Sequence, residues 1–518
     1  MSETARQKAQ EFLAVADDFK LGDLPTEMRH PKTDNLSHLA HHDLPAALTL
    51  LHGIDCDVIE KMLAYQPRLA PLHAAIRDTL ASGHRVFFYG CGATGRLSMS
   101  VEYLWRYVHR NDQDMADRVL GFMSGGDLAL VHSIENFEDH PEFGAQQVRD
   151  IGFGPHDLLV STTEGGETPS VIGATEEAAR ISSRKPFFLY CNPEDVLIKT
   201  VERSRRVITS DAIHSICLDV GPMYLSGSTR LQASTVLMLA AASALLSASD
   251  TLPAPQTADL LAYMRGLDTT WLAAFTAEEA RLYQQGDYLL YETVDHGITI
   301  LTDTTERAPT FSLLGFENQN NPQRKPSLSY LRLPLAHDSA SAWRAILLRD
   351  PITIEWDILR AIAGRARLLG FDFSAQALQQ RTALVAPHGL HRFVITREGD
   401  DLVFTLGALT HRLNVAGLHP LHEHLVLKML LNAHSTLVMG LLGRFESNVM
   451  TWVKPSNNKL VDRSIRYIQH LLAQDGITQY SYADICHQLF IEAENMAADQ
   501  AVVVLTRDAL KRRALKRA

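Results

Sequence analysis

A glycine-rich segment, Gly90 to Arg96 with the sequence GCGATGR, has the residue types of a phosphate-binding turn. The apolar run Val86 to Tyr89 precedes it, and a helix-like segment, Leu97 to Tyr107, follows it. Glycines let the backbone approach an anion, the amides that begin a helix point at it, and the Thr94 hydroxyl adds a donor. Such a turn can also be a plain link between a strand and a helix, so this segment alone leaves both interpretations open.

Two later loops repeat the same chemistry. Ser161 to Pro169 (STTEGGETP) follows a strand-like run, and Ser226 to Arg230 (SGSTR) precedes the long apolar helix Leu231 to Ala248. Polar turns that each begin a helix can converge on one anion at the carboxyl edge of a parallel sheet. A sugar phosphate suits them better than a dinucleotide, because GxGxxG and its ribose-binding acid are not evident.

The sequence resembles the SIS (sugar isomerase) family, and within it the group of N-acetylmuramic acid 6-phosphate etherases and glucokinase regulatory proteins. The motifs that carry the resemblance span most of the chain in the family's order. They are Leu24 to Thr33, GCGATGR, Ser124 to Gly126 with Ile134 to Asp139, Thr163 to Pro169, SGSTR, and Ser456 to Arg463.

Short apolar runs alternate with helical segments from about residue 84 to 248, which predicts a doubly wound parallel sheet. A second region of similar type follows from about 285 to 440. With the resemblance, we expect an α/β fold of two tandem SIS domains, each with a parallel sheet and helices on both faces, plus a C-terminal helical cap. The expected ranges are 1–50 for an N-terminal helical extension, 51–270 for a phosphate-binding SIS domain, 271–455 for a degenerate one, and 456–518 for the cap.

The second SIS domain reads as an eroded copy of the first. Leu289 to Thr310 aligns with the family's first loop, but Asp295 brings a carboxylate where the first copy has a hydroxyl, and a carboxylate there would repel phosphate. We therefore expect one phosphate site. In the etherases two chains share their sites, whereas in the regulatory proteins both domains lie in one chain around one sugar phosphate. This chain resembles the second arrangement, which implies that Glu306 reaches across to the first copy's site.

Cleaving a lactyl ether or isomerising a sugar phosphate requires removal of a proton beside a carbonyl and delivery of a proton to an oxygen. Two carboxyl groups with separated pKa values can do both. The resemblance implies Glu138 and Glu306 as this pair. Glu102 is a third candidate, although it lies six residues after Arg96 where the etherases have eight. Taken without the resemblance, Glu138 and Lys459 would be read as solvated surface charges.

The expected substrate-binding residues come from the three loops and the cap. Gly165 stands where the etherases usually carry a serine, so Thr163 and Thr168 are expected to supply hydroxyls there. The full expected set is Gly92, Ala93, Thr94, Thr163, Gly165, Glu167, Thr168, Ser226, Ser228, Thr229 and Lys459.

Two function classes fit these residues: a sugar-phosphate enzyme, either an etherase-like lyase or an isomerase, and a non-catalytic sugar-phosphate sensor that binds a partner such as a sugar kinase. The net charge of −11 argues against nucleic acid as a partner. The absence of a long apolar span or leader predicts a cytoplasmic protein without a membrane partner. Clusters such as His419, His422 and His424 lack a spaced partner, and no metal or other cofactor is expected.

Overall fold

A computed structural model of the protein describes residues 3–19, 21–134, 137–455, 457–497 and 499–516. Glu135, Asn136 and Ser456, which belong to the motifs quoted above, lie outside the described residues. Helix α3 runs without a break through residue 50, where the sequence placed its first boundary.

The elements of the first half alternate strands and helices, as the apolar runs predict. They are α1 Glu3–Val15, α2 Leu36–His42, α3 Leu44–Ala81, β1 Val86–Gly90, α4 Ala93–Val108, α5 Gln113–Ala116, β2 Val119–Met123, α6 Pro141–Asp150, β3 Leu158–Thr163, α7 Pro169–Ile181, β4 Phe187–Tyr190, α8 Glu194–Thr200, α9 Glu202–Ile208, β5 His214–Cys217 and α10 Gln232–Leu246.

Strands β1 to β5 form one parallel sheet in the order β2-β1-β3-β4-β5. Successive residues of β1 enter different apolar clusters. Phe88 packs into the cluster that includes α4 and α10, whereas Phe87 and Tyr89 pack into the cluster that includes α6 and α7. Because side chains alternate between the faces of a strand, helices must cover both faces of the sheet. The doubly wound sheet predicted for this half is confirmed.

The second half contains the following elements: α11 Thr257–Gly266, α12 Leu272–Gln284, β6 Tyr288–Glu292, α13 Gly297–Phe311, β7 Ser329–Arg332, α14 Ser339–Leu347, α15 Arg360–Ala363, α16 Arg365–Leu368, α17 Ala377–Val385, β8 Leu390–Glu398, β9 Asp401–Leu406, β10 Leu409–Asn414, α18 Pro420–Leu441, β11 Phe445–Glu446 and β12 Val449–Met450.

The second sheet, in the order β10-β9-β8-β6-β7, differs from the fully parallel sheet that we expected. Strand β6 runs parallel to β7 and β8, but β8, β9 and β10 are antiparallel. The physical reason is the length of the links, since two residues can close a hairpin but cannot make a parallel crossover. Gly399 and Gly407 begin these links with φ of +63° and +59°, a conformation that glycine adopts without strain.

The C-terminal part is helical, as predicted, with α19 Asn458–Gln474, α20 Tyr482–Asn495 and α21 Val502–Leu515. Helix α20 packs on α1, and α19 packs on the turns that follow α1. Among the described residues, none of the helices is long and apolar enough to cross a membrane.

Candidate functional site

A cavity of about 230 Å³ lies at the carboxyl ends of β1 and β3. The strand order reverses between these neighbours, and a crevice at such a reversal is the usual ligand site of an open α/β sheet. All three polar loops reach the cavity. Those of the predicted residues that line it are Gly92, Ala93, Glu138, Gly165, Glu167, Thr168, Ser228, Thr229, Glu306 and Lys459.

The loop of Ser226 to Arg230 presents a free hydrogen-bonding group to the cavity. Ser228 is 5% exposed, and its Oγ has no hydrogen-bond partner within the described part of the chain. Gly227 beside it has φ of +69°, and a Cβ there would come within 2.8 Å of the Arg463 side chain. The tight turn therefore depends on glycine, and it holds Ser228 against the cavity.

Three other predicted hydroxyls do not line the cavity. The Thr94 hydroxyl accepts from the Cys91 amide at 3.0 Å and donates to the Cys91 carbonyl at 2.8 Å, so it fixes the first loop from inside. Thr163 bonds Thr168 through their hydroxyls at 3.0 Å, and Ser226 donates to the Glu27 carbonyl at 3.1 Å. These three side chains hold the loops in shape.

Glu306 reaches the cavity from the second half of the chain. It lies on α13, is 8% exposed, and its Oε1 is 2.6 Å from a guanidinium nitrogen of Arg96. Arg96 belongs to the first glycine-rich segment and is itself buried, at 2% exposure. The pair therefore joins the first loop directly to the second sheet's helix at the edge of the cavity.

The cap closes the cavity with cations that already have partners. Lys459 of α19 pairs with Glu167 at 2.8 Å, and Arg463 pairs with Glu27 at 2.6 Å. Burial disfavours the charge of Glu167, but Lys459 and Arg203 outweigh it and lower its pKa to about 2. Burial opposes the charge of Glu27 in the same way, and Arg463 leads the cations that lower its pKa to about 2.

Glu138 has a different environment from these paired carboxyls. It lies in a short 3-10 turn, Phe137–Asp139, and faces the open cavity, where the Cys91 thiol donates to it at 3.6 Å. Although the residue is exposed toward the cavity, the protein around its carboxyl removes part of the solvent, and this desolvation raises the pKa of Glu138 despite the opposing charge of Lys459. A carboxyl group with a raised pKa keeps its proton closer to neutral pH, so Glu138 is suited to act as a proton donor.

Comparison with known proteins supports the resemblance seen in the motifs. A family model described as the glucokinase regulatory protein N-terminal SIS domain matches residues 70–178. The N-acetylmuramic acid 6-phosphate etherase of Synechocystis sp. is 33% identical over 221 residues, which cover 42% of this chain and 66% of that protein. The etherase of Klebsiella aerogenes is 30% identical over 223 residues, which cover 42% of this chain and 67% of the etherase. This chain belongs to the SIS family, in the group of these etherases and regulatory proteins.

The solved structures to which this chain is similar have low sequence identity with it. Tagatose-6-phosphate ketose/aldose isomerase from Escherichia coli is 11% identical, with a TM-score of 0.39, over 82% of this chain and 97% of that one. The C-terminal domain of glucosamine-fructose-6-phosphate aminotransferase from Francisella tularensis is 11% identical, with a TM-score of 0.34, over 74% of this chain and 96% of that one.

Glu102, the third candidate glutamate, does not line the cavity. It is 1% exposed and pairs with Arg106 at 2.7 Å and with Arg349 of the second half at 2.8 Å. Arg349 also pairs with buried Asp127 at 2.6 Å. Glu102, which lies two residues closer to the loop arginine than the etherase glutamate does, therefore forms an ion pair between the two halves of the chain.

Sequence reasoning missed several residues of the site. Glu164 lines the cavity although the motif comparison gave it no role, and Glu27 and Arg463 were quoted only as parts of motifs. Arg230, quoted only as part of SGSTR, also lines the cavity, and it pairs with Asp303 at 3.0 Å and bonds Thr436 at 2.9 Å. Its partners come from α13 and α18, so only the three-dimensional structure brings them to it.

Proposed function

We propose that this chain binds an (amino)sugar 6-phosphate in the cavity and acts on it as an etherase-like lyase. One observation carries the proposal: loops from the first sheet, Glu306 from the second half and Lys459 from the cap line the same cavity. Backbone amides at loop and helix starts, with the Ser228 hydroxyl, hold the phosphate, because such groups are directed at anions. The sugar then extends toward the two glutamates.

The two glutamates have environments suited to opposite tasks. Glu306 pairs with the Arg96 guanidinium at 2.6 Å, and we assign it as the base that accepts the proton from the carbon next to the carbonyl. Glu138 has a raised pKa and delivers a proton to the departing ether oxygen. An isomerase would use the same pair to move a proton between neighbouring carbons.

A sensor without catalysis is the second candidate. The match of residues 70–178 to the regulatory protein's SIS domain favours it, as does the presence of both halves in one chain. In that case the ligand regulates binding of a partner such as a sugar kinase in the cytoplasm. The sensor requires the phosphate loops and does not require turnover.

The test is a thermal-shift panel followed by a turnover assay. N-acetylmuramic acid, N-acetylglucosamine, glucose and fructose 6-phosphates are compared with the same sugars without phosphate. A ligand at 100 times its Kd stabilises the folded state by about 2.7 kcal/mol, which is readily measured. Lactate released from N-acetylmuramic acid 6-phosphate identifies the lyase, whereas binding with no product from any of the sugar phosphates identifies the sensor. A panel without any phosphate-dependent shift would refute both.

Ser228→Ala should weaken sugar-phosphate binding without unfolding the protein. The loss of one hydrogen bond costs about 0.5–1.5 kcal/mol, or up to about 3 kcal/mol where the acceptor is a charged phosphate oxygen. Calorimetry gives the Kd, and a melting curve checks the fold. Ser183→Ala, at an exposed position away from the cavity, is the matched control. Equal affinities for Ser228→Ala and the unchanged protein would show that this loop does not contact the phosphate.

A further inference from the structure

Five glutamates line the cavity, and three of them have a cationic partner. Glu27 pairs with Arg463, Glu167 with Lys459, and Glu306 with Arg96. Glu138 and Glu164 have no ion pair within the described residues. A phosphate dianion entering this cavity therefore meets two carboxyl groups that no cation of the described residues contacts directly.

Glu164 is the more enclosed of these two. It follows β3 directly, so it begins the second polar loop, and it is 7% exposed. Its Oε1 makes no hydrogen bond within the part of the chain that the structure describes, yet the residue lines the cavity. A buried polar atom without a partner is costly, and here the open space beside it is the place where a ligand would supply that partner.

The charged and titratable groups around Glu164 come from several elements. Glu306 on α13 opposes its ionisation, whereas Lys459 on α19 and Lys428 on α18 favour it. Burial is the largest influence, and it raises the pKa of Glu164 to about 8. Near neutral pH the side chain is thus mostly an uncharged carboxylic acid, which can donate a hydrogen bond.

We propose that Glu164 is a further ligand-contacting residue, which meets the sugar phosphate as a neutral acid and donates a hydrogen bond to an oxygen of its anion. This inference rests on the proposed function, since it assumes a phosphorylated ligand in the same cavity. An ionised Glu164 would repel that ligand, so binding requires the protonated form. Binding is therefore linked to a proton, and the affinity falls as pH rises above the pKa of this group.

The probe is N-acetylglucosamine 6-phosphate, because its amine is acetylated and does not titrate. The second pKa of a phosphate monoester lies near 6, so its ionisation is nearly complete by pH 7.5 and changes above that pH come from the protein. Calorimetry from pH 7 to pH 9.5, in two buffers with different heats of ionisation, gives the affinity and the number of protons taken up. For the unchanged protein we expect affinity to fall by about tenfold for each pH unit well above pH 8, with uptake approaching one proton.

The variant Glu164→Gln separates the hydrogen bond to the ligand from the ionisation of the side chain. Glutamine keeps a donor at this position but does not ionise, so its affinity at pH 7 should stay within about threefold of the parent. Its decline above pH 8 should be much shallower, and its proton uptake smaller. Burial also lowers the pKa of Lys428 to about 8, so this lysine titrates in the same range. Because Lys428 is present in both the parent and Glu164→Gln, the difference between their pH profiles is due to Glu164. Glu164→Ala should lose affinity at pH 7, and the exposed Glu60→Gln should match the parent.

Each result supports or overturns the inference. The inference is wrong if the affinity of Glu164→Gln falls above pH 8 as steeply as that of the parent. It is also wrong if the affinity of the parent protein increases with pH. If Glu164→Ala binds the ligand as tightly as the parent does at pH 7, Glu164 does not contact the ligand. Phosphate-independent or undetectable binding of every panel sugar to the parent at every pH would overturn the proposed function first and this inference with it, so the two failures are distinguishable.

Discussion

Glu306→Gln should reduce any turnover by about 100- to 10,000-fold, the usual contribution of a general acid or base. Glutamine keeps the shape and hydrogen-bonding capacity of the side chain but cannot take up a proton. The effect is diagnostic because Glu306 belongs to the second half, whereas the phosphate loops belong to the first. The measurement is kcat and KM for N-acetylmuramic acid 6-phosphate, with Kd from calorimetry.

Two controls separate this effect from damage to the fold. The exposed Glu398→Gln of the same half should leave kcat, Kd and the melting temperature unchanged. Because Glu306→Gln leaves buried Arg96 without its ionic partner, a melting curve gives the accompanying loss of stability. If the parent protein shows no turnover and Glu306→Gln lowers its affinity for the sugar phosphate, the protein is a sensor. If Glu306→Gln alters neither turnover nor affinity, the two halves do not share a site.

Arg349→Ala should destabilise the protein by about 3–5 kcal/mol, because it leaves two buried carboxylates without their shared partner. Glu102 and Asp127 are 1% and 0% exposed, and Arg349 bonds both of them across the junction between the halves. Its guanidinium also donates to the Gly121 carbonyl at 3.1 Å. Urea unfolding followed by fluorescence gives the change in unfolding free energy.

Arg344→Ala is the matched control for this change, since Arg344 lies in the same region but pairs with exposed Asp350 at 3.2 Å. A surface pair of this kind contributes about 0–1 kcal/mol. A double variant, Arg349→Met with Asp127→Asn, should recover part of the lost stability by removing one unpaired charge. A loss below about 1 kcal/mol for Arg349→Ala would mean that this cluster does not hold the halves together.

The sequence predicted the parts of this protein that depend on local patterns. Apolar runs such as Val119–Met123 and Phe187–Tyr190 coincide with strands, because a parallel strand that is buried on both faces requires an almost continuous apolar sequence. The glycine-rich segments mark real loops at the sheet's carboxyl edge. The antiparallel end of the second sheet was missed, although the two-residue links at Gly399 and Gly407 carried a hairpin signal.

The site was harder to predict where a side chain's partner is distant in sequence. Thr94 and Ser226 have the right chemistry for phosphate, but each satisfies its hydroxyl inside the loops. Arg230 finds Asp303 only after both halves fold together. Glu164 lies inside a quoted motif that gave it no role, and only its burial and unpartnered oxygen single it out. The roles of Glu138 and Glu306 remain predictions.

The most direct test of the account is the stoichiometry and phosphate dependence of ligand binding. The measurement is a calorimetric titration of the unchanged protein with the tightest sugar 6-phosphate of the panel and with the same sugar lacking phosphate. We predict one site per chain, with affinity for the unphosphorylated sugar lower by at least about 100-fold, the equivalent of about 2.7 kcal/mol, or roughly one to two charge-assisted hydrogen bonds. Equal affinity for the two sugars, or two equivalent sites per chain, would contradict the single phosphate-binding cavity shared by both halves.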